Sequence, residues 1–269
     1  MEAHVKPESE PKVHCLYVPT SATWQYIVAD PSTKHAVIID PVLDHPHDPN
    51  KPEMSTSAAD AVLDLVRDHG YVVDRVLETH ANTGHLSSAW YLRTQLREAT
   101  GRVPRIAIGK NLAFVQRCLE RNGVHDMHWA KGFDTTFSDN EIFSIGTLEA
   151  QVLRLPGLTL DHIGYRIGQN VFLGDPTLNP TNPQGPTAVA NLYEGSASNI
   201  CHSLDRLIDL PPSFRIYTSQ SGSPITQHSV NEEHTTMRAR QSFRSLRVNP
   251  REDAHELDQL TASEGTRRR

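Results

Sequence analysis

No apolar run in the 269 residues approaches the roughly 20 needed for a helix to cross a bilayer. A helical membrane span within this sequence is therefore excluded. Cysteine is scarce: Cys15, Cys118 and Cys201 are odd in number and share no metal-type spacing, so neither a disulfide framework nor a zinc ribbon is expected. All three read as free thiols. Basic clusters are scarce as well, "RRR" at 267–269 being the one instance, with 26 Lys and Arg against 32 Asp and Glu and a formal net charge of -6. Such a balance carries no electrostatic footprint for nucleic acid or an anionic membrane surface. The stretch "MEAHVKPESEPK" has neither the apolar centre of a secretory signal nor the arginines of a transit peptide, and the expectation is a cytoplasmic protein. No internal repeat and no low-complexity tract is evident.

What is present has the punctuation of an α/β protein. The runs "VHCLYVP", "TWQYIVAD" and "KHAVIID" are short, rich in β-branched and aromatic residues and separated by turn formers, so they read as consecutive strands. "SAADAVLDLVRDHG" sets Ala58, Val62, Leu65 and Val66 on one helical face, with Ser57 to cap its start and Gly70 to end it. "YVVDRVLET" returns to strand character, and "LSSAWYLRTQLREATG" reads as a helix with Ala89, Leu92, Leu96 and Ala99 inward. A strand at "RIAIG", a helix at "NLAFVQRCLERNG" and strands at "NEIFSIG", "TLEAQVLRL", "HIGYRIG" and "NVFLG" follow. After the Pro-rich "DPTLNPTNPQGP" come a helix at "SASNICHSLDRLIDLP", a strand at "FRIYTS" and a last helix at "NEEHTTMRARQSFRSLR". The organisation expected is a flexible arm at 1–12, one domain at 13–248 and a charged, disordered tail at 249–269.

Chemistry gathers around "ETHANTGHLSSA", where His80 and His85 lie between a strand and a helix. Other histidine groups carry less: "HPHD" at 45–48 lies in a Pro-rich loop, and "HSVNEEH" at 228–234 lacks the helical His-Glu-x-x-His spacing of a zinc protease.

Five landmarks, "IVADPSTKHAVIIDPVLD", "VLETHANTGH", "LPGLTLDH", "VFLGDPTL" and "DLPPSFRIYTSQ", occur in an order and at distances that resemble the metallo-β-lactamase superfamily. Within it, the branch holding persulfide dioxygenases and glyoxalase II is the most similar. The resemblance covers about residues 13 to 247 and implies an αββα sandwich, two facing mixed sheets covered by helices. It also implies a cleft that holds metal through a T-H-x-H-x-D-H motif, a P-G-H loop, a G-D aspartate and a late histidine.

Residue by residue, the chain keeps His80 and His85 but has Asn82 and Gly84 where a histidine and the aspartate belong. Leu158 stands in place of the P-G-H histidine, Asp175 retains the bridging carboxylate, and Gln220 falls at the late histidine. The iron triad of the dioxygenases maps to His80, Leu158 and Asp175 and is broken, while their substrate-side arginine and aspartate map to Val189 and Asn191. Loss of several donors makes a binuclear centre improbable by magnitude, since even an outer partner is typically worth about 10–100-fold in metal affinity.

Two readings follow. In the first, a divergent enzyme acts on a small molecule such as a thioester, lactone or sulfur compound. His80, His85 and Asp175 hold one Zn, Fe or Mn ion, and Asp161 and His162 move protons. In the second, a metal-free pseudoenzyme serves as a binding or interaction module. Asp40 of "IIDP" is expected to support the histidine loop from behind, and pairing of two copies into a homodimer is compatible with either reading.

Overall fold

The computed structural model describes residues 10–44, 55–80, 87–112, 132–156, 159–174, 197–211 and 213–219. Among these described residues, eleven strands form two sheets. The first has six strands in spatial order: β1 (Lys12–Val18), β2 (Thr23–Ala29), β3 (His35–Ile39), β4 (Val72–Leu77), β5 (Arg105–Gly109) and β6 (Thr135–Phe137). β1, β2 and β3 are antiparallel neighbours, and β3 to β6 run parallel. The second sheet orders β11 (Arg215–Thr218), β10 (Asn170–Gly174), β9 (Ile163–Ile167), β8 (Leu148–Arg154) and β7 (Ile142–Ile145), antiparallel except for the parallel β10–β11 pair.

Helices α1 (Ser57–His69) and α2 (Ala89–Thr100) follow β3 and β4, and α3 (Ala197–Ile208) precedes β11. Alternation along the strands divides the interior into layers. One core lies between the sheets, where Tyr26, Val28, Val37, Ile39 and Leu77 meet Val152, Tyr165, Ile167 and Phe172. A second packs Ile27, Ile38, Val76 and Ile106 beneath Val62, Val66, Leu92 and Leu96 of α1 and α2. A third sets Leu207 of α3 over Leu153, Val171 and Leu173. Each fully buried aliphatic side chain contributes roughly 1.5–3 kcal/mol, so the three layers provide the main drive for the fold.

The helix faces differ from expectation in detail. Ala59 rather than Ala58 is buried in α1, and Ala99 in the last turn of α2 is exposed. The cap of α1 is Thr56, with no side-chain cap bond, and Ser57 is the first helical residue. Gly70 ends α1 in the left-handed region, φ 64°, where a side chain would be strained. β6, three residues long, is too short to leave a periodic signal. The helices expected at "NLAFVQRCLERNG" and "NEEHTTMRARQSFRSLR" fall largely or wholly outside the described residues, as do Cys118, residues 1–9 of the arm expected at 1–12, and the tail; Cys15 is a free thiol.

The sheets are tied by a buried carboxylate. Asp30, in the β2–β3 turn, accepts bonds from Ser32 N and Oγ, from Thr33 Oγ1, and from Thr147 N and Oγ1 in the β7–β8 turn of the other sheet. Burial alone would raise its pKa, but these bonds hold it well below the usual carboxylate range.

Candidate functional site

β4 ends at Leu77 and delivers Glu78, Thr79 and His80 to the edge of the space between the sheets. Three backbone bonds fix that exit. Asp40 N–H donates to Leu77 O at 2.9 Å, Glu78 N–H to Ala107 O at 2.9 Å, and Ile163 N–H of the opposite sheet to Thr79 O at 2.9 Å. The Tyr165 hydroxyl, fully buried, donates to Glu78 O at 2.8 Å.

Asp40 sits at φ 48° immediately after β3, a left-handed conformation that Asp tolerates better than most residues. Its carboxylate accepts the Thr79 N–H at 2.8 Å and the Thr79 hydroxyl at 2.9 Å. Thr79 Oγ1 in turn lies 2.9 Å from His80 Nδ1. The hydroxyl has one proton and gives it to Asp40, so its oxygen accepts from His80 Nδ1–H. This assigns the His80 tautomer and leaves Nε2 as its basic nitrogen. Burial raises Asp40 to about 6, against the two Thr79 bonds and the nearby His162, so the carboxylate is ionised above that pH.

His162 lies at the start of β9, fully buried, with its ring centroid 5.2 Å from that of His80 and the planes inclined at 53°. Its Nε2 is hydrogen-bonded to the carbonyl oxygen of Leu173 on β10. A carbonyl accepts only, so Nε2 carries a proton, and in the neutral ring Nδ1 is then the bare nitrogen. Among the described residues, no hydrogen-bond partner meets that buried Nδ1. Asp161 is also buried and borders a cavity of about 390 Å³ with Lys110, Asn111, Phe137, Asp139 and Arg154.

Glu78 adds a second buried carboxyl, accepting from Ser87 Oγ at 2.5 Å. Burial, reinforced by the Asp40 charge and opposed by Ser87, pushes its pKa well above the usual range. Gly174 closes the floor at φ 71°. A Cβ there would fall 1.9 Å from Thr79 Oγ1 and 3.0 Å from Asp40 Oδ2, so only glycine lets β10 approach the Asp40–Thr79 pair.

The structure thus brings His80 and His162 together with Asp40 beneath them, while Asp161, which precedes His162 in the chain, lines the neighbouring cavity. His85 and Asp175, the other two expected ligands, lie outside the described residues, as do Asn82, Gly84, Leu158, Val189, Asn191 and Gln220. Among the described residues, no group of three His, Cys, Asp or Glu side chains is arranged to hold a metal ion, and no helix is long and apolar enough to cross a membrane. Sequence reading assigned no role to Glu78 or Thr79; Thr79 stands at the first position of the T-H-x-H-x-D-H motif, and Glu78 is marked only by adjacency to it.

Comparison with known proteins agrees with this architecture. The chain is 32% identical over 220 residues to the Beta-lactamase hydrolase-like protein of Xylella fastidiosa, an overlap of 81% of this chain and 48% of that protein. It is 31% identical over 208 residues to Glyoxylase B2 of Dictyostelium discoideum, covering 76% of this chain and 68% of the relative. The chain therefore spans about half the length of the first of these relatives. Among solved structures, the ETHE1 protein from Myxococcus xanthus superposes with a TM-score of 0.57 at 24% identity, over 89% of this chain and 91% of that one, a likeness of fold. Residues 18–219, which run from the end of β1 to just past β11 and include His80, Asp161 and His162, match the Metallo-beta-lactamase superfamily, and the chain belongs to that family.

Proposed function

We propose that the chain is a divergent metallo-β-lactamase-fold enzyme that acts on a small thioester, lactone or sulfur compound at the cleft beside His80, with at most one metal ion. The observation that carries this reading is the directed chain from His80 Nδ1–H through Thr79 to ionised Asp40. An imidazole anchored in this way presents Nε2 as a ligand or base, and a histidine without such a task would not need a buried carboxylate behind it. Identity to proteins named hydrolase-like and glyoxylase supports hydrolysis as the reaction class.

The donor chemistry fits one ion and not two. His80, His85 and Asp175 are two imidazoles and a carboxylate, whereas Asn82, Gly84, Leu158 and Gln220 offer at most weak oxygens. A bound Zn, Fe or Mn ion would supply Lewis acidity and a water acidified toward neutral pH. The chain's own part is to orient His80 through Thr79 and to place His162 and Asp161 beside it for proton transfer.

The same four replacements favour a second reading, a metal-free binding module. Both are tested on protein purified without chelators, by elemental analysis and by turnover of acylglutathione thioesters, lactones and glutathione persulfide. The enzyme reading expects turnover of at least one class, abolished in His80→Ala with the circular dichroism unchanged. A folded protein that turns over none of them, with metal below about a tenth of an equivalent, is the binding module instead.

A further inference from the structure

Ligating histidines carry a recognisable outer hydrogen bond, in which the nitrogen away from the metal donates its N–H to a carboxylate, a carbonyl or a group backed by one. Both imidazoles here meet that condition, in opposite tautomers. His80 donates through Nδ1 to Thr79, itself backed by Asp40, and His162 donates through Nε2 to Leu173 O. The nitrogens left basic are His80 Nε2 and His162 Nδ1.

Ring spacing agrees. Two imidazoles whose nitrogens each lie about 2.0–2.1 Å from one ion at a tetrahedral angle have centroids roughly 5 Å apart. The centroids are 5.2 Å apart. His162 Nδ1 is fully buried and meets no protein donor among the described residues. A buried nitrogen lone pair without a partner is costly, by roughly 1–3 kcal/mol, and marks a place where a ligand fits.

From these observations we infer that His162 Nδ1 is a metal-ligating nitrogen that shares one divalent transition ion with His80 Nε2, which leaves the proton transfer of the proposed function to Asp161 in place of His162. Four residues beyond Leu158, His162 returns an imidazole to the cleft from the start of the next strand instead of from the loop. Two neutral imidazoles suit Zn(II), Cu(II) or Ni(II) better than the hard, oxygen-preferring Mg(II) or Ca(II). The inference rests on the reading of this cleft as the functional one and names an ion ligand that the family motif does not contain.

Zn(II) alone is the probe. Long-range proton–nitrogen NMR of the histidine rings in the full chain, assigned with His80→Gln and His162→Gln, should show the Nδ1–H form at His80 and the Nε2–H form at His162. One equivalent of Zn(II) should then shift His80 Nε2 and His162 Nδ1 together, and His162→Gln should weaken Zn(II) binding by more than about tenfold. If His162→Gln does not fold, the wild-type titration decides alone. A Zn(II)-induced shift at His80 with His162 Nδ1 unmoved overturns the inference and leaves the proposed function standing. No Zn(II) binding with turnover retained does the same, whereas no binding and no turnover removes both.

Discussion

Asp40 grips Thr79 at two points, the backbone N–H at 2.8 Å and the hydroxyl at 2.9 Å, and so decides the direction in which that hydroxyl points. Everything that His80 presents to the cleft depends on this choice. Replacement of the carboxylate by an amide tests it. In Asp40→Asn the amide can donate to Thr79 Oγ1, which frees the hydroxyl proton for His80 Nδ1 and forces the His80 proton onto Nε2. Asn also tolerates the left-handed backbone at this position. The expected outcome is a folded protein with the His80 tautomer reversed in nitrogen NMR, and any turnover reduced about 10–100-fold. A variant with the tautomer unchanged would show that Thr79 is not the selector.

Gly174→Ala should damage the same site from below. The added Cβ would lie 1.9 Å from Thr79 Oγ1 and 2.7 Å from Thr79 Cβ, and Thr79 has no room to turn because both its polar groups are held by Asp40. Overpacking and the positive φ together should destabilise the fold by about 3 kcal/mol, measured by urea unfolding. Relief would require β10 to move away from Thr79. The His80 nitrogen resonances should therefore shift even under conditions where the variant stays folded.

Asp30→Ala should separate the turns that join the two sheets, with a loss of about 3 kcal/mol from several hydrogen bonds to one buried charged group. The pH dependence has a definite sign. Asp30 titrates lower in the folded chain than its unfolded value near 4, so its contribution is complete above that value and is lost as pH falls through the folded pKa. Urea midpoints measured from pH 6 down to pH 2 should fall steeply below about pH 4 in the wild type and less steeply in Asp30→Ala.

At the outer edge, His14 on β1 bonds Tyr71 OH at 2.8 Å through Nε2 and meets the His69 ring edge-on, with Lys34 5.7 Å from the centre of the Tyr71 ring. Burial, then the positive charges of His69 and Lys12, lower its pKa from 6.5 to about 4. The unfolded state binds more protons in this interval, so stability falls as pH drops from 6.5 to 4. His14→Gln keeps a hydrogen-bonding group without the charge. Its thermal midpoint should vary less across that window than the wild type's.

How much of this was legible in the sequence differs between fold and site. The strands betrayed themselves because "YIVA", "AVII" and "VFLG" are buried almost throughout, which requires nearly unbroken apolar runs. The two sheets and the family followed from landmark order. Ala58 and Ala99 were misplaced because alanine, with little apolar area, weighs little in deciding a helical face. At the site, His80 and His162 were found as residue types at a loop, but their partnership is set by the packing of one sheet on the other across 82 positions of chain, which no local pattern encodes. The role of Thr79 was hidden for the same reason, since it depends on Asp40, 39 positions earlier.

The parallel alignment of β3 to β6, with β10 beside β11, carries a consequence for ancestry. His80, Lys110 and Ser219 all lie just beyond strand ends, whereas the apolar interior is supplied by the strands and helices themselves. Amino acids at those exits can drift between donors and non-donors while the framework keeps its thermodynamic footing. A lineage on this scaffold is therefore able to retire one chemistry and recruit another without passing through an unfolded ancestor.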